Sequence, residues 1–232
     1  PMRQEIVQHP KVRIDKGDLL NRLPELFKND YDAVFHLASA VSGECEADFE
    51  LGLRSNLEAT RVVLEGLRAQ HARTGQAPLL FFASSVAVFG SDPAIAMPSV
   101  VTDSTLPTPQ SSYGIHKFIC EQLIADYSRK GFIDGRVARL MTVSVRPGRP
   151  NGAASSFLSG IIREPLAGVA SRCPVSLDTP VALSSPLTSI AGVLAVVEAT
   201  REAFGGRTAL NLPALTVTVG EMLQALREVA GE

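Results

Sequence analysis

Cysteine is scarce: the 232 residues hold three, Cys45, Cys120 and Cys173. The number is odd and no two share a Cys-x-x-Cys spacing, which argues against a disulfide framework or a zinc knuckle and fits a reducing compartment. An excess of one charge is also missing. The 22 basic and 24 acidic side chains leave a formal net charge of -2 and are interspersed along the chain. No basic patch therefore points to nucleic acid or to an anionic membrane surface. No apolar run approaches the roughly 20 residues that cross a bilayer. The opening stretch "PMRQEIVQHP" has no apolar core of the kind a signal peptide carries. These absences lead us to expect a cytoplasmic protein with a small-molecule partner, binding neither nucleic acid nor membrane. What remains is a globular composition, 45% hydrophobic and 20% charged, with apolar mass for one sizeable core or two small ones.

Short β-branched or aromatic runs alternate with longer segments of helical period, the pattern of βαβ units and a parallel sheet. Strands are expected at 11–15 ("KVRID"), 32–38, 78–84, 138–145 and 208–213, and helices at about 19–27, 46–70, 112–129, 155–168, 188–204 and 219–230. The last helix has the clearest start, because Thr218 and Glu221 have capping-box spacing before the apolar Met222, Leu223, Leu226 and Val229. No internal repeat is evident. The proline-rich stretch 91–111 is long for a strand-to-helix connection, as functional lids often are. Beyond about residue 146 the alternation weakens and Gly, Pro and Ser rise, so we expect a boundary near 150.

The chemistry concentrates in "SSYGIHKFICEQL", residues 111–123. Ile115, Ile119 and Leu123, with Phe118 and Tyr127, form a stripe suited to packing a helix on a sheet. Tyr113 and Lys117 are four residues apart and project from one side of that helix. An ammonium beside a phenol favours the phenolate, so the pair could supply an acid or base near neutrality. His116 and Cys120 have the same spacing, but no further ligands accompany them and no metal is expected. The pair's setting adds weight to it. "LLFFASSVAVFG" ends an apolar strand in two serines, where parallel sheets present functional side chains. "DAVFHLASA" ends another in small residues that let a flat ligand approach the backbone, and "KGDLL" places Gly-Asp at a turn.

In order, Gly17-Asp18-Leu19, His36-Leu37-Ala38-Ser39-Ala40, Asn56, Ser84-Ser85, Tyr113-x-x-x-Lys117 and "RPG" at 146–148 resemble the extended short-chain dehydrogenase/reductase family, which includes nucleotide-sugar epimerases and dehydratases. Within it, "SGECEADFELGLRSNLEAT" and "RPGRPNGAASSFLSGIIREPLAG" are similar to the D-erythronate dehydrogenase subgroup. The resemblance implies an α/β fold with a Rossmann-like doubly wound parallel sheet: an NAD(P)-binding part over 1–150 and a partial substrate-binding region over 151–232. It implies a homodimer formed through the helices near 46–70 and 112–129.

It further implies Tyr113 as general acid/base, Lys117 lowering its pKa while holding the cofactor ribose, Ser85 bonding the reacting oxygen, and Asn56 organising the site. Asp18 and Leu19 would meet the adenine of NAD or NADP, Ala38, Ser39, Ala40 and Ser84 would line the cofactor cleft, and Pro147 and Gly148 would approach the nicotinamide. Asn151, Ser155, Ser156 and Arg163 would begin a substrate pocket, with Arg163 able to pair a carboxylate. Plain structural roles compete: Ser84 and Ser85 could simply end a strand, Asp18 could cap a helix, Asn56 could satisfy a loop, Arg163 could be a surface arginine, and His36 reads as structural.

The pattern breaks in two places. The family's glycine-rich turn has no counterpart here, and "KVRID" corresponds to the third strand of the fold, so the residues given are expected to be part of a longer polypeptide. In "VALSSPLTS" Leu183 and Leu187 stand where the subgroup would carry a histidine and an arginine, which opens the way to a less polar substrate than erythronate. The implied activity is an oxidoreductase moving a hydride between nicotinamide and a secondary alcohol or ketone. A nucleotide-sugar epimerase or dehydratase, and a member that has lost cofactor binding, remain as alternatives.

Overall fold

The computed structural model describes residues 4–231. Among them, strands β1 (Ala33–His36), β2 (Leu79–Ser85), β3 (Asp134–Leu140), β4 (Thr142–Val143), β5 (Pro180–Ser184), β6 (Ala209–Asn211) and β7 (Leu215–Thr218) form two sheets. The larger sheet is parallel in the order β1-β2-β3-β6. In the smaller, β4 runs parallel to β5 and β5 antiparallel to β7. The helices are α1 (Gln4–Val7), α2 (Leu19–Leu26), α3 (Ser42–Ala47), α4 (Phe49–Gly52), α5 (Ala59–Thr74), α6 (Ser112–Arg129), α7 (Phe157–Leu166), α8 (Pro186–Glu198) and α9 (Val219–Ala230).

The run "LLFFASS" makes a strand buried on both faces, as a parallel sheet covered by helices requires. Successive side chains alternate between faces. Leu80 and Phe82 join Leu64, Leu67, Cys120 and Ile124 beneath α2, α5 and α6. Phe81 and Ala83 join Ala138, Val196, Phe204 and Leu212 on the side covered by α8. Each fully buried Leu or Phe contributes roughly 1.5–3 kcal/mol by leaving water. A third cluster of Leu158, Ile161, Val219 and Met222 joins α7 and α9 to the smaller sheet. The chain weaves between sheets: β4, before residue 150, belongs to the smaller, while β6, well after it, returns to the larger.

The expected α/β architecture with its parallel Rossmann-like sheet is present, and the Thr218–Glu221 capping box starts α9 as read from the sequence. Four readings need correction. Residues 11–15 form no strand; a strand exists only through its pairing, and among the described residues no other strand lies beside β1 on the side away from β2. The strand expected at 138–145 begins at Asp134 and breaks after Leu140 into β3 and β4, which serve different sheets. β5 and β7, not expected from the sequence, are short and flanked by Ser and Pro, which leaves no clear alternation.

The fourth correction concerns α6. Ile115 and Ile119 are 43% and 40% exposed, and the buried face carries Gly114, His116, Lys117, Cys120, Glu121 and Ile124. Hydrophobicity chose the wrong side because the inward Lys117 and Glu121 are partnered within the protein, and partnering lifts the penalty for burying them.

Candidate active site

The carboxyl ends of β1, β2 and β3 open onto a cavity of about 700 Å³, lined among others by Ser39, Ser84, Ser85, Tyr113, Lys117 and Ser155. Beside it a smaller cavity of about 360 Å³ is lined by Asp18, Leu19, Ala38, Ala40, Arg54 and again Ser39. Two separately predicted sets of residues thus meet at one serine, along a trough suited to an elongated ligand.

Local structure explains the placement of the reactive groups. Ser111 caps α6 by accepting from the Gly114 N–H at 3.2 Å, so Tyr113 sits in the first helical turn. Position 114 must be glycine for close approach: a β-carbon there would stand 2.1 Å from the carbonyl oxygen of Ala87. That contact presses the start of α6 onto the turn following β2. Ser85 ends β2, and its hydroxyl oxygen accepts from the Ala87 N–H at 3.1 Å, leaving the hydroxyl proton for the cavity.

Lys117 is 3% exposed, donates to the carbonyl oxygen of Ala83 at 2.8 Å, and lies 5.5 Å from the centroid of the Tyr113 ring. Burial lowers its pKa from 10.5 to about 8. Burial raises that of Tyr113, with the Ser85 hydroxyl pulling against the rise. The sequence suggested that Lys117 would depress the phenol. In this structure desolvation wins, because the ammonium stands over the ring and bonds a backbone carbonyl.

Asn56 is buried on a π-helical turn, Leu53–Glu58, between α4 and α5. Such turns often occur at functional sites. Its side-chain oxygen accepts from the Ala40 N–H at 2.8 Å and the Ser39 hydroxyl at 3.0 Å, while its amide donates to the Ala40 carbonyl oxygen at 3.3 Å. Asn56 therefore shapes the loop between the two cavities and lines neither of them. His36 packs against Thr60, Nε2 to Oγ1 at 3.0 Å, and burial followed by the Lys117 charge lowers its pKa to about 4. It is a neutral structural group. His116 is buried against Phe49 while Cys120 donates to the Asn56 carbonyl, so the two have separate packing roles.

Ser84 lines the cavity, but its hydroxyl is committed to Glu121 at 2.5 Å, and Glu121 in turn holds Arg139 through bonds of 3.0 and 2.7 Å. Asp18 both caps α2 and pairs with Arg54 at 3.0 Å, so its structural and site readings coexist. Pro147, Gly148 and Asn151 are exposed and Ser156 is half-buried, and none of the four lines the cavity. Asn151 and Ser156 brace their own loop. Arg163 points elsewhere, donating to the Arg146 carbonyl oxygen at 2.6 Å and pairing with Glu164 at 2.5 Å.

Leu187 is 78% exposed and Leu183 packs in the third cluster; neither reaches the cavity. Arg146, Thr142, Glu46 and Gln110 line the cavity without having been singled out. Arg146 opens the "RPG" run at 146–148.

Residues 2–178 match the model of the NAD dependent epimerase/dehydratase family. D-erythronate dehydrogenase of Cupriavidus necator is 52% identical over 95% of this chain and 66% of its own length. D-erythronate dehydrogenase of Haemophilus influenzae is 45% identical over 96% of this chain and 69% of its own. A crystal structure described as the nucleoside-diphosphate-sugar epimerase from Agrobacterium tumefaciens superposes with a TM-score of 0.85 at 42% identity, covering 93% of this chain and 63% of that one. The chain thus spans about two thirds of the length of these relatives.

Proposed function

The chain belongs to the NAD dependent epimerase/dehydratase family, and from that premise we propose that it oxidises a secondary alcohol, or reduces the corresponding ketone, with NAD held along the trough between the two cavities. The observation that carries this reading is the cluster of Ser85, Tyr113 and Lys117 around one cavity at the carboxyl ends of the parallel strands. When bound, the nicotinamide supplies the hydride acceptor or donor.

The residues present suit such a ligand. Ala38, Ser39 and Ala40 offer backbone and small side chains, Asp18, Leu19 and Arg54 surround the end where an adenosine would lie, and Lys117 provides a buried cation beside the reacting end. Tyr113 Oη accepts the hydroxyl proton as the alcohol is oxidised and returns it in the reverse direction. Ser85 Oγ donates to the reacting oxygen, and the Lys117 ammonium, 5.5 Å from the Tyr113 ring centroid, is the adjacent positive charge that opposes the desolvation of the phenolate. Asn56 holds Ser39 and Ala40 in place.

The two D-erythronate dehydrogenase relatives support a hydroxy acid as substrate. We assign a cytoplasmic location on the three free cysteines, and among the described residues no helix is long and apolar enough to cross a membrane. A second copy is proposed to cover Phe49, Ile115 and Ile119, which leave an apolar stripe exposed on α4 and α6. The epimerase reading stays beside this one because of the Agrobacterium structure. Incubating the full-length protein with NAD and D-erythronate separates them. A dehydrogenase accumulates NADH in proportion to acid consumed, whereas an epimerase returns the hydride and shows no net absorbance at 340 nm.

A further inference from the structure

Of the two cationic side chains that line the larger cavity, one has a buried nitrogen for which the described residues supply no hydrogen-bond partner. Lys117 also lines it, but that ammonium bonds the Ala83 carbonyl oxygen. Glu46 lines it as an acid, and one of its oxygens accepts from the Ser112 N–H at 2.9 Å. Arg146 lines it too, and its Nη2 is buried without a hydrogen-bond partner. A guanidinium nitrogen removed from water and left unbonded is expensive, because desolvation of a charged donor is not compensated.

The backbone around Arg146 is held as if to aim this side chain. The Arg146 N–H donates to Ser159 Oγ at 3.0 Å, and Arg163 Nη1 donates to the Arg146 carbonyl oxygen at 2.6 Å. Just upstream, the Ser144 N–H donates to the Ser184 carbonyl oxygen at 2.9 Å, tying the segment to the smaller sheet. Arg163 is itself anchored by Glu164. Two arginines thus have different tasks: Arg163 positions the main chain of Arg146, and Arg146 presents its side chain to the cavity that holds Ser85 and Tyr113.

We infer that Arg146 is the receptor for the anionic group of the substrate, pairing the carboxylate of a hydroxy acid while the hydroxyl to be oxidised lies at Tyr113. This deepens the proposed function and rests on it. A planar guanidinium fits a carboxylate through paired N–H bonds, and a cofactor phosphate has the same anionic chemistry, so the test separates the two sources.

The test uses the full-length protein and its Arg146→Gln variant, with D-erythronate, L-threonate and D-glycerate as acids and erythritol and glycerol as uncharged counterparts. Binding of each compound and of NAD is measured by calorimetry, and turnover with NAD is followed where it occurs. We expect the wild type to bind at least one acid more tightly than its neutral counterpart. The variant should lose about tenfold or more in that affinity, the scale of one charge-assisted bond, with NAD binding changed less than twofold. Arg146→Lys should restore part of the loss.

Three results would overturn the assignment: acid affinity unchanged in Arg146→Gln, no acid bound by the wild type, or a loss confined to NAD, which would give the arginine to a phosphate. If an acid binds through Arg146 yet no NADH forms, the oxidoreductase reading fails while the anion site stands.

Discussion

The ammonium of Lys117 donates to the carbonyl oxygen of Ala83 across 2.8 Å, tying the helix that carries Tyr113 to the strand that ends in Ser85. The bond places a buried cation beneath the Tyr113 phenol and spends one of its three protons on the protein itself. Replacing Lys117 with Met removes the charge while retaining much of the stem. We expect a fall in kcat/KM of about 10²-fold or more, the range of a lost acid/base partner, with the fold retained by circular dichroism. Equal activity in the two proteins would remove Lys117 from the mechanism.

Gly114 lets α6 touch the turn after β2, and a β-carbon would meet Ala87 O at 2.1 Å. Gly114→Ala must push the helix start outward, and Tyr113 is its immediate neighbour. Overpacking of this kind destabilises by about 1–3 kcal/mol, so the melting temperature should drop. The sharper expectation is kinetic, because a displacement near 1 Å reduces turnover by about 10²-fold. Wild-type kcat in Gly114→Ala would contradict the close-approach argument.

Glu121 and Arg139 form a buried pair, 1% and 6% exposed at the side chain, with Ser84 completing the carboxylate's bonds. Removing one partner strands the other charge, so Glu121→Leu should lower unfolding free energy by about 3–5 kcal/mol. The double variant Glu121→Leu with Arg139→Met should be far less damaging, since both charges leave together. Chemical denaturation of the single and double variants measures this, and additive losses would refute the coupling.

The parallel sheet, most of the helices and six polar residues of the larger cavity, Ser39, Ser84, Ser85, Tyr113, Lys117 and Ser155, were legible in the sequence, because apolar runs, turn residues and the Tyr113–Lys117 spacing are local signals. The inward face of α6 was not. The apolar stripe marks Ile115 and Ile119 as its core face, whereas the structure buries Lys117 on Ala83 O, Glu121 on Arg139 and Ser84, and His116 against Phe49. Arg146 was not legible for a related reason: an arginine's task depends on what holds its backbone, here the Arg163 guanidinium donating to its carbonyl oxygen and the Ser159 hydroxyl oxygen accepting from its N–H. The strand expected at 11–15 failed because pairing is a property of two segments.

His36 links acidity to stability. Its folded imidazole titrates at about 4, against 6.5 when exposed, with burial as the main cause and the Lys117 charge second. Between those values the unfolded chain takes up a proton that the folded protein refuses, so stability falls as pH drops from 6.5 towards 4. The whole shift corresponds to about 3 kcal/mol. His36→Gln should flatten that part of the stability curve in urea titrations. Identical slopes for wild type and variant would show that His36 is not the group responsible.

The central claim is that Tyr113 moves the proton. It is tested most directly by Tyr113→Phe in the full-length protein, measuring turnover and NAD affinity on the same sample. The phenyl ring keeps the packing against Lys117 and deletes only the hydroxyl. The account predicts a loss of kcat of about 10²–10⁴-fold with NAD binding within a fewfold of wild type. A variant that retains wild-type kcat would contradict it.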